Sequence, residues 1–140
     1  MMQYNEHTMP KQTTSDVSLL NPPPGSVIYE TELVYAALAS YPITKGHTVV
    51  VWKKPVTDLG KLDEKDFAYL MFAVDQVRNA LLKVCGVKKV YLMYMDEVKH
   101  VHWHLIPRYN TMGVSVLKIK PRKILKFPLV KRLHKAMRRI

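Results

Sequence analysis

Three histidines stand at alternate positions in His100-Val101-His102-Trp103-His104. In a strand, side chains alternate between faces and every second one recurs after about 6.5–7 Å. Strict alternation therefore puts all three imidazoles on one face, with Val101, Trp103 and Leu105 on the other. Packing alone does not call for three imidazoles in such a row. Imidazole titrates at a pKa of about 6.5 before its surroundings act, so the run can supply a nucleophile, a proton shuttle or metal ligands. The metal option is limited by geometry. The Cα atoms of His100 and His104 lie about 13 Å apart on a strand, whereas zinc sits about 2 Å from each ligand nitrogen. Convergence of all three on one ion is strained, while two of them together with His47 leave a metal site open. His7 and His134 lie outside the pattern and read as solvated surface residues.

The elements that must carry these groups can be read along the chain. With 140 residues, 48% of them hydrophobic, the sequence has enough apolar side chain for one domain with its own core. A single cysteine, Cys85, excludes a disulfide framework and a four-thiolate metal site and fits a reducing compartment. The polar start, Met1 to Asp16, has no signal-peptide pattern, and no apolar run approaches the ~18 residues of a membrane span. The expectation is a cytoplasmic protein without a membrane partner.

Residues 1–24, ending in Asn21-Pro22-Pro23-Pro24, read as a polar arm. Val27 to Glu30, Leu33 to Ala39 and Thr48 to Lys53 are strand-like, with a turn over Tyr41 to Gly46. Asp63 to Cys85 is the clearest helix: Asp63 caps it, Glu64 and Asp66 suit its N-terminal dipole, and Gly86 stops it. Phe67, Leu70, Met71, Val74, Val77, Leu81 and Val84 recur at three- and four-residue steps as one apolar face. Lys89 to Met95 predicts a strand that forms a hairpin with the histidine strand across Asp96-Glu97. Val114 to Ile119 reads as a strand. Pro128 to Ile140 reads as a basic amphipathic helix with Leu129, Leu133, Met137 and Ile140 on one side. The fold class expected is α+β: an antiparallel sheet of about five strands, one long helix and a C-terminal helix.

Charge divides the chain. Residues 1–97 carry 10 lysines and arginines against 11 acids, whereas residues 98–140 carry 12 and no acid. Everything from the histidine run onward is basic, which favours an anionic ligand or partner.

His100-x-His102-x-His104 followed by Leu105-Ile106 resembles the signature of the histidine triad (HIT) superfamily, and Ile106-Pro107-Arg108 resembles its hydrolase-type members. A second motif, Pro42-Ile43-Thr44-Lys45-Gly46-His47-Thr48-Val49-Val50-Val51, is similar to the family's turn and strand with its Gly-His pair. The resemblance covers about residues 27–109 and implies a catalytic domain over 25–110, with 111–140 as a basic extension packed on the domain or on a dimer.

The resemblance also implies an activity: cleavage of nucleotides at the α-phosphate through a covalent nucleotidyl-histidine that water then hydrolyses. Dinucleoside polyphosphates or nucleoside phosphoramidates would be the substrates. It places the nucleophile at His102, puts His104 toward the phosphate or leaving group, and has His100, with His47 beside it, hold the geometry. A backbone carbonyl next to the triad would pin the nucleophile's ring, which suits the chemistry because a neutral imidazole attacks phosphorus only through an unprotonated nitrogen. No metal or cofactor is required, and a homodimer is implied.

Two positions depart from the family. Ala39 stands eight residues before His47, where many members carry an acidic or amide residue for the ribose hydroxyls, leaving Ser40 as a weak substitute. Met95-Asp96-Glu97-Val98-Lys99 replaces the usual polar approach to the triad, so Glu97 would repel phosphate and Lys99 attract it. Arg108 is a further candidate phosphate contact. Two other readings remain at this level: a purine-nucleotide-binding protein with little catalysis, and a nucleic-acid-associated deadenylase using the basic tail. Lys118, Lys120, Arg122 and Lys123 lack the interleaved aromatics that a base-stacking surface uses.

Overall fold

Short β-branched and apolar runs build five strands: β1 (Val27–Glu30), β2 (Val34–Leu38), β3 (Thr48–Trp52), β4 (Lys89–Tyr94) and β5 (His102–Arg108). The computed structural model describes residues 21–95 and 97–137. Most of the N-terminal arm, together with His7, Asp96 and Ile140, lies outside the described residues. The strands form one antiparallel sheet in the order β1-β2-β3-β5-β4, with β4 and β5 paired as expected. The connection between them is longer than a tight turn, because β5 begins at His102 and not at His100.

Helix α1 (Glu64–Cys85) starts where the Asp63 side chain accepts the N–H of Asp66 and ends at Gly86, which takes the left-handed conformation (φ 65°). Its buried stripe is Leu70, Ala73, Val74, Val77, Ala80 and Leu81. These side chains pack on Ile28, Val34, Ala36, Leu38, Val50, Trp52 and Leu105, the inward residues of the sheet. Each large apolar side chain removed from water in this layer contributes about 1.5–3 kcal/mol. Phe67, placed on the apolar face by its spacing, is 41% exposed. It stands in the first turn, before the buried stripe begins at Leu70.

The other sheet face carries the even-numbered residues of β5, with Tyr35, Ala37 and Val51 as its small apolar cluster. Two C-terminal expectations are corrected. The Val114–Ile119 stretch is a 3-10 turn over Gly113–Lys118 and not a strand. Only Val116 of it is buried, and the Gly113 N–H donates to the Tyr91 hydroxyl (2.7 Å) instead of to a strand neighbour. The final helix, α2, is short, Val130–Ala136. Leu133 is its fully buried anchor and Leu129 is also buried, so the apolar side of the expected helix survives in part. Among the described residues no helix is long and apolar enough to cross a membrane.

Candidate active site

Strand register decides which histidines meet. β3 pairs with β5 so that Val51 faces His102, Val49 faces His104 and Thr48 faces Leu105. His47, one residue before Thr48, therefore arrives at the His104 end. Its ring centroid is 5.2 Å from that of His104, and the His104 ring is 5.0 Å from that of His102. The expectation that His47 stands beside His100 is corrected by this register. His100 precedes β5, is buried, and its Nε2 lies 2.5 Å from the Trp52 carbonyl. It ties the start of β5 to the end of β3.

The turn that delivers His47 is fixed from several sides. Gly46 has φ +91°, and a Cβ there would come 2.7 Å from the Cys85 Sγ and 3.2 Å from Pro107; only glycine fits this conformation and this space. The Thr44 hydroxyl donates to the Pro107 carbonyl (2.7 Å), and the Tyr109 hydroxyl to the Lys45 carbonyl (2.7 Å). The Ala39 N–H donates to the His47 carbonyl (2.9 Å), which continues the β2–β3 pairing into the turn.

Hydrogen-bond partners then assign the protons, one ring at a time. The Ile43 N–H donates to His47 Nδ1 (3.0 Å), so the neutral His47 ring carries its hydrogen on Nε2. That hydrogen points at His104 Nδ1, 3.0 Å away, which must accept it, so the His104 hydrogen is on Nε2. His102 is the reverse case. Its Nδ1 lies 2.7 Å from the His100 carbonyl and donates to it, so in the neutral ring the lone pair is on Nε2. Two neighbouring imidazoles thus have opposite Nε2 chemistry, an acceptor on His102 and a donor on His104.

Burial keeps His47 and His104 neutral. Burial first, and then the neighbouring His104, pushes His47 down to about 3. Burial, and then His102, pushes His104 down to about 4. Among the described residues no three histidine, cysteine or acidic side chains are grouped to hold a metal ion.

In front of His47 and His104 lies a cleft of about 690 Å³, walled by Tyr35, Ala37, Ala39, Ser40 and Val49 and closed by the prolines at 22–24. Ser40 is the one side chain of the expected binding set that lines it. Lys99 is exposed in the loop before β5, and Arg108 reaches the Met112 sulfur (3.3 Å) at the far end of β5. Neither lines the cleft, nor does the exposed Glu97. Sequence reasoning did not single out Thr44 or Tyr109, whose bonds lock the turn. Nothing in the local pattern marks them, because their partners are distant in the chain.

Comparison with known proteins agrees with the architecture. The HIT domain model matches residues 22–111. An uncharacterized HIT-like protein of Mycoplasma genitalium is 30% identical, over 83% of this chain and 92% of its own length. An AP-4-A phosphorylase of Mycobacterium tuberculosis is 27% identical, over 76% of this chain and 58% of its own. The structure of a hypothetical histidine triad nucleotide-binding protein of Sulfolobus tokodaii superimposes with a TM-score of 0.63 at 27% identity, covering 81% of each chain. With the triad strand, its Gly-His turn and the five-stranded sheet all in place, the chain belongs to the HIT family.

Proposed function

We propose that this protein is a nucleotide hydrolase or nucleotidyl transferase that attacks the α-phosphorus through His102. The observation that carries the reading is the bond from His102 Nδ1 to the His100 carbonyl, which puts the lone pair of the neutral ring on Nε2. An N–P bond forms there as the bond from phosphorus to the leaving oxygen or nitrogen breaks. The leaving group departs with the electron pair and takes a proton from solvent. Water then adds to phosphorus, the N–P bond breaks, and its electron pair returns to Nε2. The products are a nucleoside monophosphate and a neutral His102, with the proton from water released to solvent.

His104, with its hydrogen on Nε2, donates to a phosphoryl oxygen where negative charge builds. His47 orients His104 and His100 orients the start of β5, so both are positioning residues. Ser40 stands on the nucleoside side of the cleft. The similarity to an AP-4-A phosphorylase supports dinucleoside polyphosphates as substrates alongside phosphoramidates.

Mass spectrometry after mixing the protein with a panel of dinucleotides and nucleoside phosphoramidates tests this. A nucleotidyl adduct is expected on the wild type. His102→Ala should lose the adduct and slow turnover by at least ~10⁴-fold. Nucleotide affinity without an adduct would make the protein a binder, and unchanged turnover in the variant would remove His102 from the mechanism.

The same reading carries a homodimer. Around the free edge of β4, Leu92, Met112, Val114 and Leu117 are 40%, 62%, 79% and 52% exposed, an apolar surface fitted to a second copy. Sedimentation should find twice the chain mass, and Leu92→Lys should halve it; a monomeric wild type removes the dimer.

A further inference from the structure

One polar side chain in the wall of the histidine cleft takes no part in the chemistry derived above. Tyr35 pairs with Val51, which faces His102, and Ala37 pairs with Val49, which faces His104. Paired residues share a face, so Tyr35 and His102 belong to one row across the sheet, two strand spacings or about 10 Å apart. Val51 stands between them and joins Tyr35 and Ala37 in the small apolar cluster of this face.

Tyr35 differs from the rest of the cleft wall. Ala37, Ala39 and Val49 offer only short apolar side chains, and the prolines at 22–24 have no donor. Tyr35 is 5% exposed and lines the cleft, yet among the described residues its hydroxyl has no hydrogen-bond partner. A buried hydroxyl is ordinarily paired. The Glu30 carboxylate, across the β1–β2 pair, bonds to Lys53 Nζ (2.5 Å) and not to the hydroxyl. Burial, and then Glu30, pushes the Tyr35 phenol up to about 12, so it stays protonated and can both donate and accept.

An apolar cleft with one unpaired hydroxyl in its wall has a definite complement: a flat apolar ring with a polar edge. The short side chains of Ala37 and Ala39 leave room for such a ring along β2, with its edge toward Tyr35. A phosphoryl group on His102 would lie across the row with Val51 in between. Ser40 is five residues away, about 17 Å along an extended chain. The hydroxyl is thus set apart from the groups that handle phosphate, and the base is the part of a nucleotide left for it.

We propose that Tyr35 is the base-reading residue of the histidine cleft, its hydroxyl bonding to the hydrogen-bonding edge of the nucleobase. The proposal rests on the reading of the cleft as a nucleotide site and adds the residue that sets base preference. The histidines act on groups that every nucleotide shares, so they supply no such preference. A hydrogen bond to the base does, because a base without the matching group leaves the hydroxyl unpaired.

Calorimetric titration of the wild type and Tyr35→Phe with AMP, GMP, CMP and UMP tests it. The four probes share the ribose and the α-phosphate and differ only in the base. The wild type should separate its best base from its worst by about tenfold or more. Tyr35→Phe keeps the ring and its packing and removes one oxygen. It should weaken the preferred nucleotide about five- to tenfold, the size of one lost hydrogen bond. The weakest should move by less than about twofold, so the series is compressed. An equal loss for all four would put the hydroxyl on the ribose or phosphate, and no loss for any would make Tyr35 a packing residue; either overturns the proposal. A wild type that binds none of the four removes the nucleotide reading itself, whereas base discrimination that survives in Tyr35→Phe removes only the role of Tyr35.

Discussion

The corner made by the 43–48 turn and β5 and the basic limb beyond Thr111 are held in opposite ways. In the corner, each of the four imidazoles is fixed by a carbonyl, a backbone N–H or another ring, and the turn is bonded to the end of β5 through Thr44 and Tyr109. The limb is tied by the Gly113 N–H to the Tyr91 hydroxyl and by the Ile124 N–H to the Ser40 carbonyl, then by α2, which rests on Leu133 and on bonds from Arg132 to the Val84 carbonyl and from His134 to the Ile28 carbonyl. Its lysines stand in solvent. The contrast shows where each kind of specificity sits. Ring tautomers require rigid, desolvated partners, whereas attraction of an anion requires only charge near the opening.

Changes in the corner should therefore act on chemistry, and the largest concerns His104. His104→Phe keeps a flat ring but removes both nitrogens. It deletes the Nε2 donor and leaves the His47 Nε2–H without its acceptor. Turnover should fall by about 10²–10³-fold, as for other single donors to a developing oxyanion. Stability should fall by about 1–3 kcal/mol for the orphaned buried donor. Rapid-quench measurement of adduct formation separates the two, and a loss in kcat under threefold would mean that the corner's order is structural only.

The pH dependence of stability is the next effect. His47 and His104 are held at about 3 and about 4 in the folded protein, against about 6.5 in an unfolded chain. Between those values the unfolded state binds more protons, so stability rises with pH across the window. The contribution is complete above about pH 6.5 and is lost progressively as pH falls toward 4 and then 3. Urea midpoints of wild type and His104→Phe at pH 7 and pH 4.5 should show the wild type losing more, by on the order of 2 kcal/mol. Parallel losses in the two proteins would show that this pair does not carry the dependence.

Much of this corner was legible in the sequence, and the unread part has a common cause. Period-two alternation located β5, three- and four-residue spacing located α1, and the Gly46-His47 pair marked the turn. Each is a local pattern imposed by backbone geometry. Register is not local. His47 meets His104 and not His100 because the β3–β5 pairing sets Val49 opposite His104, and no spacing within either segment encodes that offset. The Val114–Ile119 stretch is apolar and branched like a strand, but Gly113 before it bonds to Tyr91 and the stretch becomes a 3-10 turn. Ala39 reads as a missing contact from the sequence; that it also lines a cavity beneath the limb depends on the return of the limb to Ser40.

The smallest effect is expected in the limb, and it tests whether the two regions are separable. His134 donates from Nδ1 to the Ile28 carbonyl (2.9 Å) from an exposed position on α2. Its neighbour Leu133 is fully buried against the core and keeps α2 in place without that bond. In His134→Ala, water can reach the Ile28 carbonyl, so the cost is the net value of one hydrogen bond, about 0.5–1.5 kcal/mol. The urea midpoint should shift accordingly with an unchanged slope, since the surface exposed on unfolding is the same. Turnover should stay within about twofold. A tenfold loss would show that the rings of the corner are ordered through the limb, and the division between a rigid chemical corner and a charged rim would have to be given up.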